Sequence, residues 1–248
     1  NRWLVGASVP SFGSQGAIQP MTDLRVVERR LVVTGDGSHS FLLPTLGEQY
    51  HSSHGAIVEA RTVFIRYGYE HAAAGGREPL RILEVGFGTG LNALLTWERN
   101  RREQRTVSYT ALEPWPLAPE LIAQLNYGAF LEAPAPEVFV AMHGSAWGRP
   151  QSFGERFSLL KLRTGLEQFE PSGLYDLVYY DAFSPAVEPD LWTASVFGRI
   201  CSYLSPGALL VTYCAKGTVK RNLKAAGFTL ESLPGPPGKR EVSRATKP

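Results

Sequence analysis

Leu80-Arg81-Ile82-Leu83-Glu84-Val85-Gly86-Phe87-Gly88-Thr89-Gly90-Leu91-Asn92-Ala93-Leu94-Leu95 reads as a short apolar strand, a tight glycine turn and the opening of a helix. Ile82, Leu83 and Val85 suit a buried strand, and Leu91, Leu94 and Leu95 fall at i, i+3 and i+4 on one helical face. Three glycines in five residues let the backbone turn sharply and approach a ligand that side chains would keep away. The N–H groups at the helix start then face that ligand. A glycine turn serving only the chain's own path is the competing reading. The strand and helix on either side favour a nucleotide-type site.

Spacing narrows the ligand. The dinucleotide fingerprint is G-x-G-x-x-G, whereas this turn is Gly86-x-Gly88-x-Gly90 with Glu84 two residues ahead. That acid-x-G-x-G-x-G pattern resembles motif I of the class I S-adenosylmethionine-dependent methyltransferases. The chemistry is consistent: S-adenosylmethionine carries an ammonium and a sulfonium and no pyrophosphate, so an acid beside the turn is useful.

The 248 residues, 44% hydrophobic and 19% charged, are enough for one α/β domain with an extension and leave little room for bulk disorder. A net charge of +2 neither demands nor excludes nucleic acid. Cys201 and Cys214 lack metal-ligand spacing and read as structural thiols of a reducing compartment. No apolar run reaches transmembrane length. The first twenty residues are rich in Gly, Ser, Pro and Gln, without the basic start and apolar stretch of a signal peptide. Three parts are expected: a leader (1–20), with Met21 as a start, an N-terminal extension (21–78) and a Rossmann-like domain (79–248).

Along the chain, residues 24–33 and Phe41-Leu42-Leu43 around the turn 34–38 predict a small β-hairpin. Ile57, Ala60, Phe64 and Ile65 mark a helical face, and Ala72-Ala73-Ala74-Gly75-Gly76 a linker. His51 and His54 have no third ligand nearby, so no metal is expected. The run Glu98 to Arg105 reads as a solvated helix end, with phosphate contact as the alternative for its arginines. Val107 to Glu113 is a second strand ending in an acid, suited to ribose hydroxyls. Residues 117–130 look helical, and Pro134, Pro136 and 144–154 loop-rich. Tyr175 to Tyr180 is a third strand with Asp181 at its carboxyl end. A helix over 192–204, a strand over 207–213, a helix over 218–226 and a terminal hairpin (228–232 and 240–245) complete the alternation. Glu84, Glu113 and Asp181 thus converge on one crevice outside the strand ends.

The chain resembles one family in particular: the methyltransferase part of the bifunctional tRNA 5-methylaminomethyl-2-thiouridine biosynthesis proteins, and their stand-alone relatives. The matching stretches are Tyr50-His51-Ser52 with Glu59, Gly86-Phe87-Gly88-Thr89-Gly90-Leu91-Asn92, Asp181-Ala182-Phe183-Ser184-Pro185, and Gly235-Pro236-Pro237-Gly238-Lys239-Arg240-Glu241. The resemblance implies a class I fold: a mostly parallel seven-stranded sheet with an antiparallel terminal hairpin, preceded by a small hairpin and helix. It also implies methyl transfer from S-adenosyl-L-methionine to the exocyclic amine of 5-aminomethyl(-2-thio)uridine at the tRNA wobble position, in the cytoplasm, by a monomer without metal or membrane. With no second glycine fingerprint, the FAD-dependent oxidase activity of the bifunctional proteins is not expected in this chain.

On this reading Glu84, Gly86, Phe87, Gly88, Gly90, Asn92, Glu113, Thr164 and Asp181 hold the cofactor. Asp181 holds the amine and accepts its proton. Tyr50, Tyr180, Phe183 and Pro185 border the base, with core packing as the alternative for the aromatics. Lys239 and Arg240 contact tRNA phosphates or remain solvated. One departure stands out: the family's Gly-Asp-like pair, which would take the adenine amine, is replaced by Leu162-Arg163-Thr164-Gly165-Leu166, with no acid before Glu167. The alternatives are a methyl- or aminopropyltransferase on a small amine, and an inactive cofactor- or tRNA-binding module.

Overall fold

The computed structural model describes residues 27–248; the expected leader and residues 24–26 of the first expected strand lie outside the described residues. β1 (Arg30–Val33) and β2 (His39–Leu43) form the expected hairpin, and β3 (Glu48–Gln49) extends it to three short strands. Asp36 ties this hairpin to the next element, its carboxylate accepting from the backbone N–H of Ser38 (3.0 Å) and of Val58 (2.9 Å).

A helical run follows: α1 (Ala56–Ala60), a π-helical stretch (Arg61–Tyr69) and α2 (Glu70–Ala74). The expected linker alanines therefore close a helix, as alanine's high helix propensity favours, and the chain turns only at Gly75 and Gly76. The run lies directly on the central sheet. At Gly68 an added Cβ would stand 2.9 Å from Val211 and 3.0 Å from Tyr179, so only glycine permits this approach.

The remaining elements are β4 (Leu80–Val85), α3 (Leu91–Glu103), β5 (Val107–Leu112), α4 (Pro119–Ile122), α5 (Ala135–Gly144), β6 (Gln151–Ser152), β7 (Phe157–Leu162), β8 (Tyr175–Tyr180), α6 (Ala194–Ser202), β9 (Leu204–Thr212), α7 (Gly217–Ala225), β10 (Thr229–Pro234) and β11 (Glu241–Thr246). They build one sheet in the order β10-β11-β9-β8-β4-β5-β7-β6, parallel through its centre and antiparallel at β11, β10 and β6. It has eight strands where seven were expected; the extra one is the two-residue edge strand β6.

Two further expectations change. Residues 117–130 form only the short α4 and a 3₁₀ turn at Tyr127–Phe130. Gly128 there packs against Pro136 so closely that a Cβ would meet its Cα at 2.7 Å. Conversely, α5 occupies part of the expected loop. Pro136 sits in its first turn, where no N–H is needed.

Alternation along each strand divides the interior into two cores. Leu177 and Tyr179 of β8 face the helical run, α3 and α5; Val178 and Tyr180 face α6 and α7. The helical run 56–74 thus shares one core with the sheet rather than lying outside it. The arginines of α3 are largely answered by nearby carboxylates, Arg99 by Glu70 (2.8 Å) and Glu103 (2.8 Å) and Arg102 by Glu98 (3.1 Å), which favours the solvated-face reading.

Candidate active site

The strand order reverses between β4 and β8: from β4 the chain builds outward through β5 and β7, then crosses back to place β8 on the other side of β4. Ligands of open α/β sheets bind at such a point. Here the carboxyl ends of β4 and β8 are joined by the Asp181 N–H donating to the Val85 carbonyl (3.0 Å). The glycine loop leaves β4 at this spot, with Gly86, Gly88 and Gly90 at φ of 93°, 49° and 73°, all in the left-handed region. A Cβ on Gly86 would stand 2.6 Å from the Asp181 carbonyl oxygen, so the loop is pressed onto the strand end. His143 of α5 supports it from beneath. Burial lowers the imidazole to about 4, so the ring is neutral, its Nε2 is 3.0 Å from the Thr89 carbonyl, and the proton belongs on that nitrogen. Buried Lys161 donates in turn to the His143 carbonyl (2.8 Å).

A cleft of about 1100 Å³ opens above the loop. Its chemistry is dominated by carboxylates. Asn92, which lines the cleft, links Asp181 to a residue behind the wall, its Nδ2 donating to Asp181 Oδ2 (2.8 Å) and to Glu84 Oε1 (3.0 Å). Glu84, expected to reach the cofactor, is fully buried and outside the cleft lining. Asn92 Oδ1 is buried without a hydrogen-bond partner at the cleft wall, while Glu84 lies behind it with the Tyr109 hydroxyl as its neighbour. Burial, and next the neighbouring Asp181, push the Glu84 carboxyl well above its ordinary value. Burial also raises Asp181, to about 7, with Glu59 adding to the rise while Asn92 and Lys239 oppose it. Asp181 nonetheless keeps a partly exposed edge in the cleft. Glu113 accepts from the N–H groups of Gly88 (2.9 Å) and Trp115 (2.8 Å), which fix its carboxylate at the end of β5. Glu188, which the sequence reading did not single out, is raised to about 7 by burial and by Glu113.

Of the expected base-bordering residues, Tyr50 and Phe183 line the cleft, with ring centroids 5.1 Å apart and edge-to-face. The Tyr50 hydroxyl accepts from Arg29 Nε (3.1 Å). Tyr180 does not reach the cleft. It is fully buried between Trp192 and Phe197, and its hydroxyl donates to the Leu191 carbonyl. Pro185 is likewise outside the cleft lining. Thr164 lines the opposite end, and Glu167 folds back over Gly165 there, so an acid does reach this border although the sequence lacks one at the expected place. Arg240 is exposed at the tip of the terminal hairpin. Lys239 is turned inward instead: it lines the cleft and pairs with buried Glu59, not with solvent. Glu59 and His51 belong to stretches the sequence singled out, but Glu59 had no site role assigned to it. His51 is half-buried, its Nδ1 3.0 Å from Ser40 Oγ, and desolvation lowers it to about 4. Among the described residues no group of three potential metal ligands occurs, and no helix is long and apolar enough to cross a membrane.

A doubly wound sheet with an acidic cleft at its reversal point has the architecture of the class I methyltransferases. A family model described as S-adenosyl-L-methionine-dependent methyltransferase matches residues 156–248. The tRNA 5-methylaminomethyl-2-thiouridine biosynthesis bifunctional protein MnmC of Pseudomonas fluorescens is 34% identical over 206 residues, covering 79% of this chain and 31% of that protein. The MnmC of Aromatoleum aromaticum is 33% identical over 232 residues, covering 87% and 35%. The crystal structure of MNMC2 from Aquifex aeolicus superposes with a TM-score of 0.75 at 27% identity, over 91% of this chain and 73% of that one. The chain belongs to the S-adenosyl-L-methionine-dependent methyltransferase family of the MnmC methyltransferase domains. It spans about a third of the length of the curated relatives it matches.

Proposed function

We propose that this protein transfers a methyl group from S-adenosyl-L-methionine to the exocyclic amine of 5-aminomethyl(-2-thio)uridine at the wobble position of tRNA, in the cytoplasm, giving 5-methylaminomethyl(-2-thio)uridine. The observation that carries the reading is the Asn92 side chain, which lines the cleft with its Oδ1 unpaired and holds a half-open Asp181 beside it. The names of the MnmC relatives support the substrate class.

The residues fit the cofactor. Asn92, its amide fixed from behind by Glu84, would accept from its α-ammonium, Glu113 from its ribose hydroxyls, and the Thr164–Glu167 border would meet the adenine. The ring of carboxylates suits a ligand with two positive centres. Bound S-adenosylmethionine supplies an electrophilic methyl group on its sulfonium. The protein's part is largely positioning, because an in-line displacement gains most from fixed geometry. The attacking amine must be neutral, and a free alkylamine is mostly protonated near neutral pH. Asp181 holds the amine and takes the proton it loses, directly or through water. A carboxyl raised to about 7 is a far better acceptor than an ordinary aspartate. Tyr50 and Phe183, packed edge to face, form one aromatic wall of the cleft on which an extruded base would stack. Arg240 and the exposed Lys216, Arg221 and Lys224 on and beside α7 offer charge to the anticodon-loop phosphates.

The test is Asp181→Ala. Cofactor binding, measured by calorimetry, is expected to persist while methyl transfer to tRNA falls by at least about a hundredfold, the usual worth of general acid–base catalysis. Full activity in that variant would remove Asp181 from the mechanism.

A further inference from the structure

Lys239 sits at the tip of the terminal hairpin, where a phosphate-binding lysine would have open solvent. Its ammonium is instead paired with Glu59 of α1, 180 residues away in sequence. It also lies 4.2 Å from the centroid of the Tyr213 ring. The Glu59 side chain is 8% exposed, and its second oxygen accepts from the Ser52 N–H (2.7 Å). The neighbouring residue makes a second contact. Gly238, at φ 81°, rests on the His54 imidazole with no room for a Cβ. Two successive residues of the tip are therefore fixed against the segment that carries Tyr50 and His51. The contact continues to the reacting centre, because the Tyr213 hydroxyl donates to the carbonyl of Ala182, the residue after Asp181 (2.9 Å).

A lysine–glutamate pair with a buried carboxylate and a half-buried ammonium adds little net stability compared with an apolar pair of the same size. Its placement points to another use. Resting on the reading of Asp181 given above, we propose that Glu59 and Lys239 are positioning residues: their ion pair sets the charge beside Asp181 and fastens the hairpin tip along the substrate side of the cleft. The groups that face Asp181 are Glu84 from β4, Asn92 from α3, Glu59 from α1, Lys239 from the hairpin and Tyr213 from the end of β9, with Tyr109 and Tyr127 further off. His51 feels both members of the pair. Glu59 favours the protonated form of Asp181, and Lys239 favours the ionised form. While the pair is intact Lys239 offsets part of the effect of Glu59, which remains the larger; breaking it from either side moves Asp181 in opposite directions.

That opposition is the test. Glu59→Gln, Lys239→Met and the double variant are compared with the unaltered protein in the pH profile of kcat/KM for tRNA, from about pH 5.5 to about pH 9, which reports groups of the free enzyme. Glu59→Gln leaves an ammonium alone beside Asp181, and the acid limb is expected to move down by about one pH unit. Lys239→Met leaves a carboxylate alone, and the limb is expected to move up by about one unit. The double variant places the limb between those of the two single variants, and Lys239→Arg, which keeps the charge, holds it at its original place if the methionine variant does not fold. Two single variants that move the limb the same way, or that lower the plateau without moving it, would overturn the proposal.

A second readout needs no substrate: carbon-13 titration of the Asp181 carboxyl, assigned by its loss in Asp181→Asn, should show the same opposed shifts. Opposed shifts in the titration, with no turnover of tRNA by any variant or by the unaltered protein, would leave the pair in place and fail the tRNA reading alone. An unmoved Asp181 titration would fail the pair itself.

Discussion

Replacing Asp181 with asparagine removes a negative charge that the folded chain holds at a cost. The carboxyl rises from its ordinary 3.8 to about 7, through burial first and then Glu59. The folded protein therefore binds a proton at Asp181 across a window in which the unfolded chain has released it. Stability from this group is full below about pH 4 and is lost as pH rises through about 7. A difference of roughly three units corresponds to a ceiling of about 4 kcal/mol at about 1.36 kcal/mol per unit. The partly exposed edge of Asp181 brings the expected gain down to about 1–3 kcal/mol, since solvent screens the charge. Asparagine keeps an oxygen that can accept from Asn92, and Glu84, raised in part by Asp181, is relieved in the same variant. For a chain of this size about 1 kcal/mol moves the melting temperature by about 2–4 °C. Ligand-free Asp181→Asn should therefore melt about 3–10 °C above the unaltered protein near pH 8.5 and within about 1 °C of it near pH 4. Equal melting temperatures near pH 8.5, or a gain of the same size at both pH values, would refute the reasoning.

Gly86→Ala places a Cβ 2.6 Å from the Asp181 carbonyl at a φ of 93°, and is expected to cost about 2–4 kcal/mol in denaturant unfolding and to abolish cofactor binding by calorimetry. Tyr180→Phe loses the hydroxyl bond to the Leu191 carbonyl; about 1 kcal/mol of stability should go while the KM for tRNA stays unchanged, as befits a core residue. Phe183→Ala, by contrast, removes a cleft wall and should lower kcat/KM for tRNA by about tenfold, the worth of about 1–3 kcal/mol of base stacking. Arg240→Ala should weaken tRNA binding and reduce the slope of log affinity against log salt by about one, read from filter binding at several salt concentrations.

What the sequence made legible was local. The glycine loop is one continuous stretch, and Glu84, Glu113 and Asp181 each sit beside the end of a strand whose apolar residues announce it. Once those strands are parallel neighbours, Glu113 and Asp181 converge on the cleft, with Glu84 packed behind its wall. Tyr180 was legible in principle: successive strand residues point to opposite faces, so the neighbour of an Asp181 that faces the cleft points into the core. α5 was hidden because Pro134 and Pro136 read as breakers, although a proline in the first turn breaks nothing. The fate of Lys239 was not legible. Its partner Glu59 is 180 residues away, and only the register of the terminal hairpin against α1 brings the two charges together. Glu167 was beyond reach for a related reason, because the turn after β7 folds its carboxylate back over Gly165.

The central claim is tested most directly by incubating this protein with labelled S-adenosyl-L-methionine and bulk tRNA from cells that lack the wobble modification, followed by nucleoside analysis. The account predicts label in 5-methylaminomethyl(-2-thio)uridine and in no other nucleoside. Tight cofactor binding with no label in tRNA would contradict it, and would direct attention to a small-amine acceptor for the same acidic cleft.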